Sequence, residues 1–199
     1  MHKIVIASNN RGKLAEIERV LVPFDFEPIP QSVFHVPEIE EPHCTFVENA
    51  LIKARHASRI SGLPALADDS GICVDALRGE PGVHSARYAG EPSSDQRNNQ
   101  KLLDALHGKA DRKAHYYCVI VALRHAADPQ PVIAEGSWHG EILSQPRGEG
   151  GFGYDPLFVV PELGRTGAEL SMDEKNRISH RGKALQNMID KISRDGFDC

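Results

Sequence analysis

Hydrophobic and polar positions along this chain follow two periods, and the period changes several times. "KIVIA" (3–7) is an unbroken apolar run with the length of a short buried strand. The polar turn "SNNRGK" follows, and then Leu14, Ile17, Val20 and Leu21 recur at helical spacing. Pro23, Pro28 and Pro30 break that pattern and lead into an acidic, proline-marked loop, "VPEIEEPHC". Thr45 and Glu48 have the T-x-x-E spacing of a capping box, so a helix is predicted from there to about Ser61, with Gly62 as its stop.

Two short apolar runs flank Asp68 and Asp69 in "LPALADDSGICVDAL" (63–77), which predicts a strand pair turning at Gly71. The loop "GEPGVHSARYAGEP" precedes a second capped helix, from about Ser94 to His107 with Gly108 behind it. "AHYYCVIVAL" (114–123) and "PVIAEGSWHGEIL" (131–143) read as neighbouring strands, antiparallel across the short turn at Asp128-Pro129. A glycine-rich passage, "RGEGGFGYDPLFVV", comes next. Ser171 with Glu174 gives a third capping signature, and a last amphipathic helix carries Leu185, Met188, Ile189 and Ile192 on one face. Strands and helices interleaved in this order predict an α/β fold, a mixed sheet with flanking helices.

Composition narrows the picture. The 199 residues fit one domain spanning 1–199, with room for two lobes, and 40% hydrophobic with 26% charged residues is ordinary for a soluble protein with a full core. A net charge of −5 argues against a polynucleotide partner, which calls for a basic stripe, but leaves room for a small anion held by a few cations. Cys44, Cys73, Cys118 and Cys199 are scattered with no C-x-x-C pair, as expected of reduced thiols rather than a zinc site. The N-terminal apolar stretch is too short for a signal peptide and no later stretch approaches a membrane span, so a cytoplasmic protein is expected.

Four segments could carry chemistry. Ser8-Asn9-Asn10-Arg11-Gly12-Lys13 lies between a strand and a helix N-terminus, where unpaired N–H groups and the helix dipole favour an anion. It lacks the spacing of a Walker loop, and an ordinary polar turn is the competing reading. Glu38, Glu40 and Glu41 with Asp68-Asp69 supply hard oxygen donors of the kind Mg²⁺ takes, or form an acidic surface with a turn at Asp69. "GGFGYDP" (150–156) would let backbone approach a flat ligand while Phe152 or Tyr154 stacks and Asp155 accepts, or it is a bulged strand entry with core aromatics. In "EKNRISHRGKA" (174–184), Lys175 and Ser179 share a face of a continuous helix; alternatively Ser179 caps a new helix that begins with His180 and Arg181. Lys53 and Arg87 could join an anion site; His56 and His84 read as structural.

Taken in series, "SNNRGK", "TFVENALIKARHAS", "LPALADDSGICVDAL", "PGVHSARYAG", "GGFGYDPLF" and "EKNRISHRGKAL" resemble the inosine triphosphate pyrophosphatase family, the HAM1-type house-cleaning enzymes of the nucleotide pool. The likeness runs nearly end to end; only 25–39 and the tail after about Ile192 lack recognisable pattern. It implies hydrolysis of dITP, ITP and XTP to monophosphate and pyrophosphate, with one Mg²⁺ per subunit, by an elongated two-lobed homodimer with a substrate cleft between the lobes. It further implies that Ser8, Asn10 and Lys13 hold the triphosphate within the loop completed by Asn9, Arg11 and Gly12, with Lys53 nearby. Asp69 would bind the metal and accept the proton, Asp68 and Glu41 would support the metal shell, and Ser70 would touch substrate. Phe152, Gly153, Tyr154, Asp155, Lys175, His180 and Arg181 would form the nucleoside and base pocket, with Arg181 or a backbone N–H beside it as donor to the 6-oxo group. The rival readings are a pyrophosphatase for pyrimidine or oxidised nucleotides, a phosphotransferase, and a nucleotide sensor without turnover.

Overall fold

The computed structural model describes residues 2–195 and 197; Cys199 lies outside the described residues. The elements are β1 (His2–Ile6), α1 (Arg11–Leu21), β2 (Phe26–Pro30), α2 (Phe46–Ser61), β3 (Ala65–Val74) and α3 (Asp95–Ala105). They continue with β4 (Lys113–Leu123), β5 (Val132–Ile142), β6 (Phe158–Val160), β7 (Arg165–Thr166), α4 (Met172–Ile178) and α5 (His180–Asp195). The strands form one seven-stranded sheet in the order β2-β1-β3-β4-β5-β6-β7. β1 pairs in parallel with β2 and β3, whereas β5–β6 and β6–β7 are antiparallel, so the sheet is mixed.

Local chemistry sets the helix limits. The Asn10 side chain accepts from Lys13 N and opens α1; Thr45 does the same for Glu48 N at α2, and Ser94 for Arg97 N at α3. α2 stops at Gly62, whose φ of 71° suits a residue without Cβ. Ser171 and Glu174 satisfy each other's backbone N–H reciprocally at the start of α4. Ser179 is extended, so α4 ends there and α5 begins anew at His180.

Two features depart from the sequence pattern. β2 occupies the stretch where prolines hid any strand signal. It is an edge strand, and Pro28 and Pro30 are tolerated there because an edge leaves one side of the ladder unpaired. Nor is there a turn at Gly71: β3 is continuous from Ala65 to Val74. The glycine serves close approach instead, since a Cβ there would lie 2.2 Å from Gly82 O and 2.5 Å from Ser85 Oγ.

The chain resolves into two compact units. The first holds residues up to Asp69, Cys118–Gly136, and residues from Arg181 onward. Its core joins Ile4, Ile6, Ile17 and Leu66 to Ile120 and to Leu185, Met188 and Ile189 of α5, the apolar face seen in the sequence. The second holds Ser70–Tyr117 and Ser137–His180, around Ile72, Leu102, Leu106, Trp138, Leu157 and Phe158. Among the described residues no helix is long and apolar enough to cross a membrane.

Candidate active site

In the first unit, α1, α2, β3 and α5 bring charged side chains together. Asp68, on β3, has a fully buried carboxylate whose Oδ2 lies 3.0 Å from Lys13 Nζ and accepts from Arg181 Nε and Nη2 at 3.2 Å each. The same guanidinium donates through Nη1 to Glu16, on α1. Asp69 points to a different set. Its Oδ1 is 3.2 Å from Lys53 Nζ, and that ammonium also donates to Glu41 Oε2 at 2.9 Å. Asp69 Oδ2 is buried and has no hydrogen-bond partner. Of the two readings for this acidic pair, an exposed acidic surface does not hold, since Asp68 is buried against Lys13 and Arg181.

The two neighbours titrate in opposite directions. Burial by itself raises the pKa of Asp68, but Lys13 and Arg181 outweigh it and hold the carboxyl well below the ordinary 3.8. For Asp69, burial together with Glu41 and Asp68 outweighs Lys53 and Lys13, so its pKa rises above 3.8. Burial disfavours the charge on Lys53, yet Asp69, Asp68 and Glu41 more than compensate and its pKa is raised. Cys118, 4.0 Å from Asp68 Oδ2, is pushed up to about 12 by burial and by that carboxylate, which leaves an inert thiol.

A second constellation lies in the second unit. Asp155, buried, takes Lys175 Nζ at 2.6 Å and the Phe152 N–H at 2.9 Å on Oδ2. The ammonium of Lys175 stands 4.4 Å over the Phe152 ring, a cation–π contact. Phe152 sits between Gly151 and Gly153, both left-handed at φ 72° and 63°. Tyr154 is anchored by its hydroxyl, which donates to Ser85 O at 2.8 Å. His180 stacks on Tyr116 at 4.7 Å and 9° and lies 6.4 Å from Trp138.

The expected site residues therefore fall into two groups. Lys13, Lys53, Glu41, Asp68 and Asp69 gather in the first unit. Ser8 Oγ accepts from Asn10 N, and Asn9 takes Gln31 and Glu38, so this loop is organised by its own polar groups while Arg11 stays exposed. Phe152, Gly153, Tyr154, Asp155, Lys175 and His180 gather in the second unit, to which Ser70 also belongs. Arg181 was expected with this second group; its side chain is instead committed to Asp68 and Glu16 in the first unit. His180 and Arg181 are the first two residues of α5, and successive positions on a helix project about 100° apart, so the two side chains reach different partners. His56 binds Pro37 O at 3.0 Å, a structural role. Glu16, Asp95, Asn99, Tyr116 and Trp138 had escaped notice. Only Glu16 offered a signal, three residues after Lys13 and so on its face of the helix.

Among the described residues no three His, Cys, Asp or Glu side chains are arranged to hold a metal on their own. The first cluster nevertheless fits a cation that arrives with an anionic ligand. Three cations (Lys13, Lys53, Arg181) face four carboxylates (Glu16, Glu41, Asp68, Asp69), so a polyphosphate entering alone would meet no net positive charge. Asp69 Oδ2 offers a buried oxygen with no other partner. Mg²⁺ takes one or two carboxylates and completes its shell with water and phosphate.

Residues 4–191 match the Ham1 family, and the chain belongs to that family. A dITP/XTP pyrophosphatase of Nitrosomonas europaea is 69% identical over 193 residues, covering 97% of this chain and 95% of that protein. A dITP/XTP pyrophosphatase of Ralstonia nicotianae is 61% identical and covers 96% of this chain and 97% of its own length. The solved structure of a HAM1 protein from Coxiella burnetii superposes with a TM-score of 0.91 at 51% identity, over 98% of this chain and 100% of that one.

Proposed function

We propose that this protein is a hydrolase of non-canonical purine nucleoside triphosphates. It converts dITP, ITP and XTP to the monophosphate and pyrophosphate and so keeps them out of DNA and RNA. The relatives named dITP/XTP pyrophosphatase support the reaction class. The observation that carries the reading is the contrast between adjacent carboxylates: Asp68 is neutralised by Lys13 and Arg181 and its pKa is lowered, whereas Asp69, which shares Lys53 with Glu41, has a raised pKa.

In this reading Lys13, Lys53 and the N–H groups opening α1 bind the triphosphate oxygens and offset their charge. Lys53 lets go of part of its hold on Glu41 and Asp69 as it does so. Asp69 and Glu41 would hold Mg²⁺ when the nucleotide is bound, and the ion would supply Lewis-acid neutralisation of the phosphates. Asp69, whose environment favours its protonated form, accepts the proton of the attacking water. Arg181 is a positioning residue: with Glu16 behind it, it fixes Asp68 and leaves Asp69 as the proton acceptor of the pair.

The base is held by the second unit. Phe152 offers a face for stacking and Lys175 an N–H donor beside it. A donor suits the 6-oxo group of hypoxanthine and xanthine and opposes the 6-amino group of adenine. Asp155 acts by holding Lys175 and the Phe152 backbone in place. We further propose one catalytic domain over 1–199, acting as a cytoplasmic homodimer.

The test is product analysis across dITP, ITP, XTP, dGTP, ATP and dUTP, with and without Mg²⁺. Pyrophosphate from the first three, only with Mg²⁺, is expected. Orthophosphate as product, dUTP as preferred substrate, or tight nucleotide binding without turnover would each replace the reading.

A further inference from the structure

α3 touches the Phe152 loop through two side chains one turn apart. Asp95 Oδ2 accepts the Gly153 N–H at 2.7 Å, and Asn99 Nδ2 donates to Gly153 O at 3.0 Å. Both hydrogen-bonding groups of one glycine are thus held by one helix face, since positions four apart project together. A Cβ at Gly153 would meet nothing within 4 Å, so the glycine is there for its positive φ. Without the clamp a glycine between Phe152 and Tyr154 would have wide backbone freedom. The neighbouring Asn98 holds the preceding loop in the same manner, accepting from Ala89 N at 2.7 Å and donating to Ala86 O at 2.9 Å. The capping serine, Ser94, starts the helix immediately before Asp95 and fixes its phase.

We infer that Asp95 and Asn99 are positioning residues for the purine base: by immobilising the Gly153 backbone they hold the Phe152 ring in the orientation that stacks on it. The inference rests on the reading of this loop as the base-binding element. Both residues bond to a loop of their own unit, the second, so their effect belongs to nucleotide affinity and base preference rather than to bond cleavage. Asp155 and Lys175 secure the loop from within, and α3 secures it from outside.

The experiment uses the full chain with Asp95→Ala, Asn99→Ala, the double variant, Asp95→Asn and Phe152→Ala. KM and kcat are measured for dITP, and inhibition by inorganic triphosphate, which has no base, is measured beside them. Each single alanine variant is expected to raise KM by about five- to tenfold, the factor for one lost hydrogen bond, with little change in kcat. Asp95→Asn keeps an acceptor oxygen and should restore KM, and inhibition by inorganic triphosphate should stay at its native value throughout. If Phe152→Ala raises KM while the α3 variants do not, the clamp alone is overturned. If inhibition by inorganic triphosphate weakens in step with KM, α3 is supporting the fold in general and the clamp is likewise overturned. If Phe152→Ala itself leaves KM unchanged, the base assignment fails first and the clamp with it.

Discussion

The two charged clusters of this protein use the same residue types to opposite ends. In the first unit the lysines stand at the rim, Lys13 and Lys53 with side chains 18% and 14% exposed, against carboxylates that are nearly buried. In the second, Lys175 and Asp155 are both sealed, at 6% and 2%. A rim lysine can exchange a carboxylate partner for a phosphate because water and ligand both reach it. A sealed pair cannot exchange without leaving a buried charge uncompensated, so it serves as fixed geometry. On the proposed function, the first cluster takes a multiply charged ligand that comes and goes, and the second a flat and nearly neutral one.

Breaking the buried half of the first cluster should have the largest effect. Asp68→Asn leaves Arg181 and Lys13 without their shared carboxylate, and denaturant titration should show a loss of about 3–5 kcal/mol. A variant as stable as the native chain would show that the network is not an electrostatic unit. The next effect belongs to the second cluster. Lys175→Met removes the donor beside Phe152 and should cut the preference for ITP over ATP by about tenfold or more, while inhibition by inorganic triphosphate is retained. Equal losses in both measurements would mean that the two clusters do not divide the work between base and phosphate.

The smallest effect is the sharpest in sign. Asp69 must be ionised to take a proton and its pKa is raised, so kcat/KM falls as pH drops through a value above 3.8. Asp68 has a depressed pKa; its contribution to stability is complete above 3.8 and is lost only as pH falls toward its lower folded value. Activity should therefore vanish at a higher pH than structure. Parallel acid titrations of rate and circular dichroism check this; coincident midpoints would remove the contrast between the two aspartates.

Short-range chemistry was plain in the sequence. Thr45 with Glu48, Gly62, Ser94, and Ser171 with Glu174 all mark helix ends where local hydrogen bonds decide the outcome. Long apolar strands such as 114–123 were equally clear, since burial on both faces leaves little alternative. What stayed hidden depended on distant partners. β2 is a strand because β1 pairs with it, whatever Pro28 and Pro30 suggest on their own. Gly71 reads as a turn until Gly82 and Ser85 are known to press against it. For the site, the family pattern named nearly all the charged residues of both clusters, but Arg181 lies 113 positions from Asp68, and no spacing rule could pair them or bring Glu16 to the same guanidinium. Asp95 and Asn99 look like ordinary surface residues of a capped helix until Gly153 is placed beside them.

The central claim is that Asp69 is held in an environment that disfavours its charge so that it can take a proton from water. One variant tests it on two axes at once. In Asp69→Asn the buried charge disappears, so the melting temperature at neutral pH should rise, while Mg²⁺-dependent pyrophosphate release from dITP should fall by about 10³-fold. A variant that melts lower than the native chain, or that turns over dITP at close to the native rate, would contradict the account.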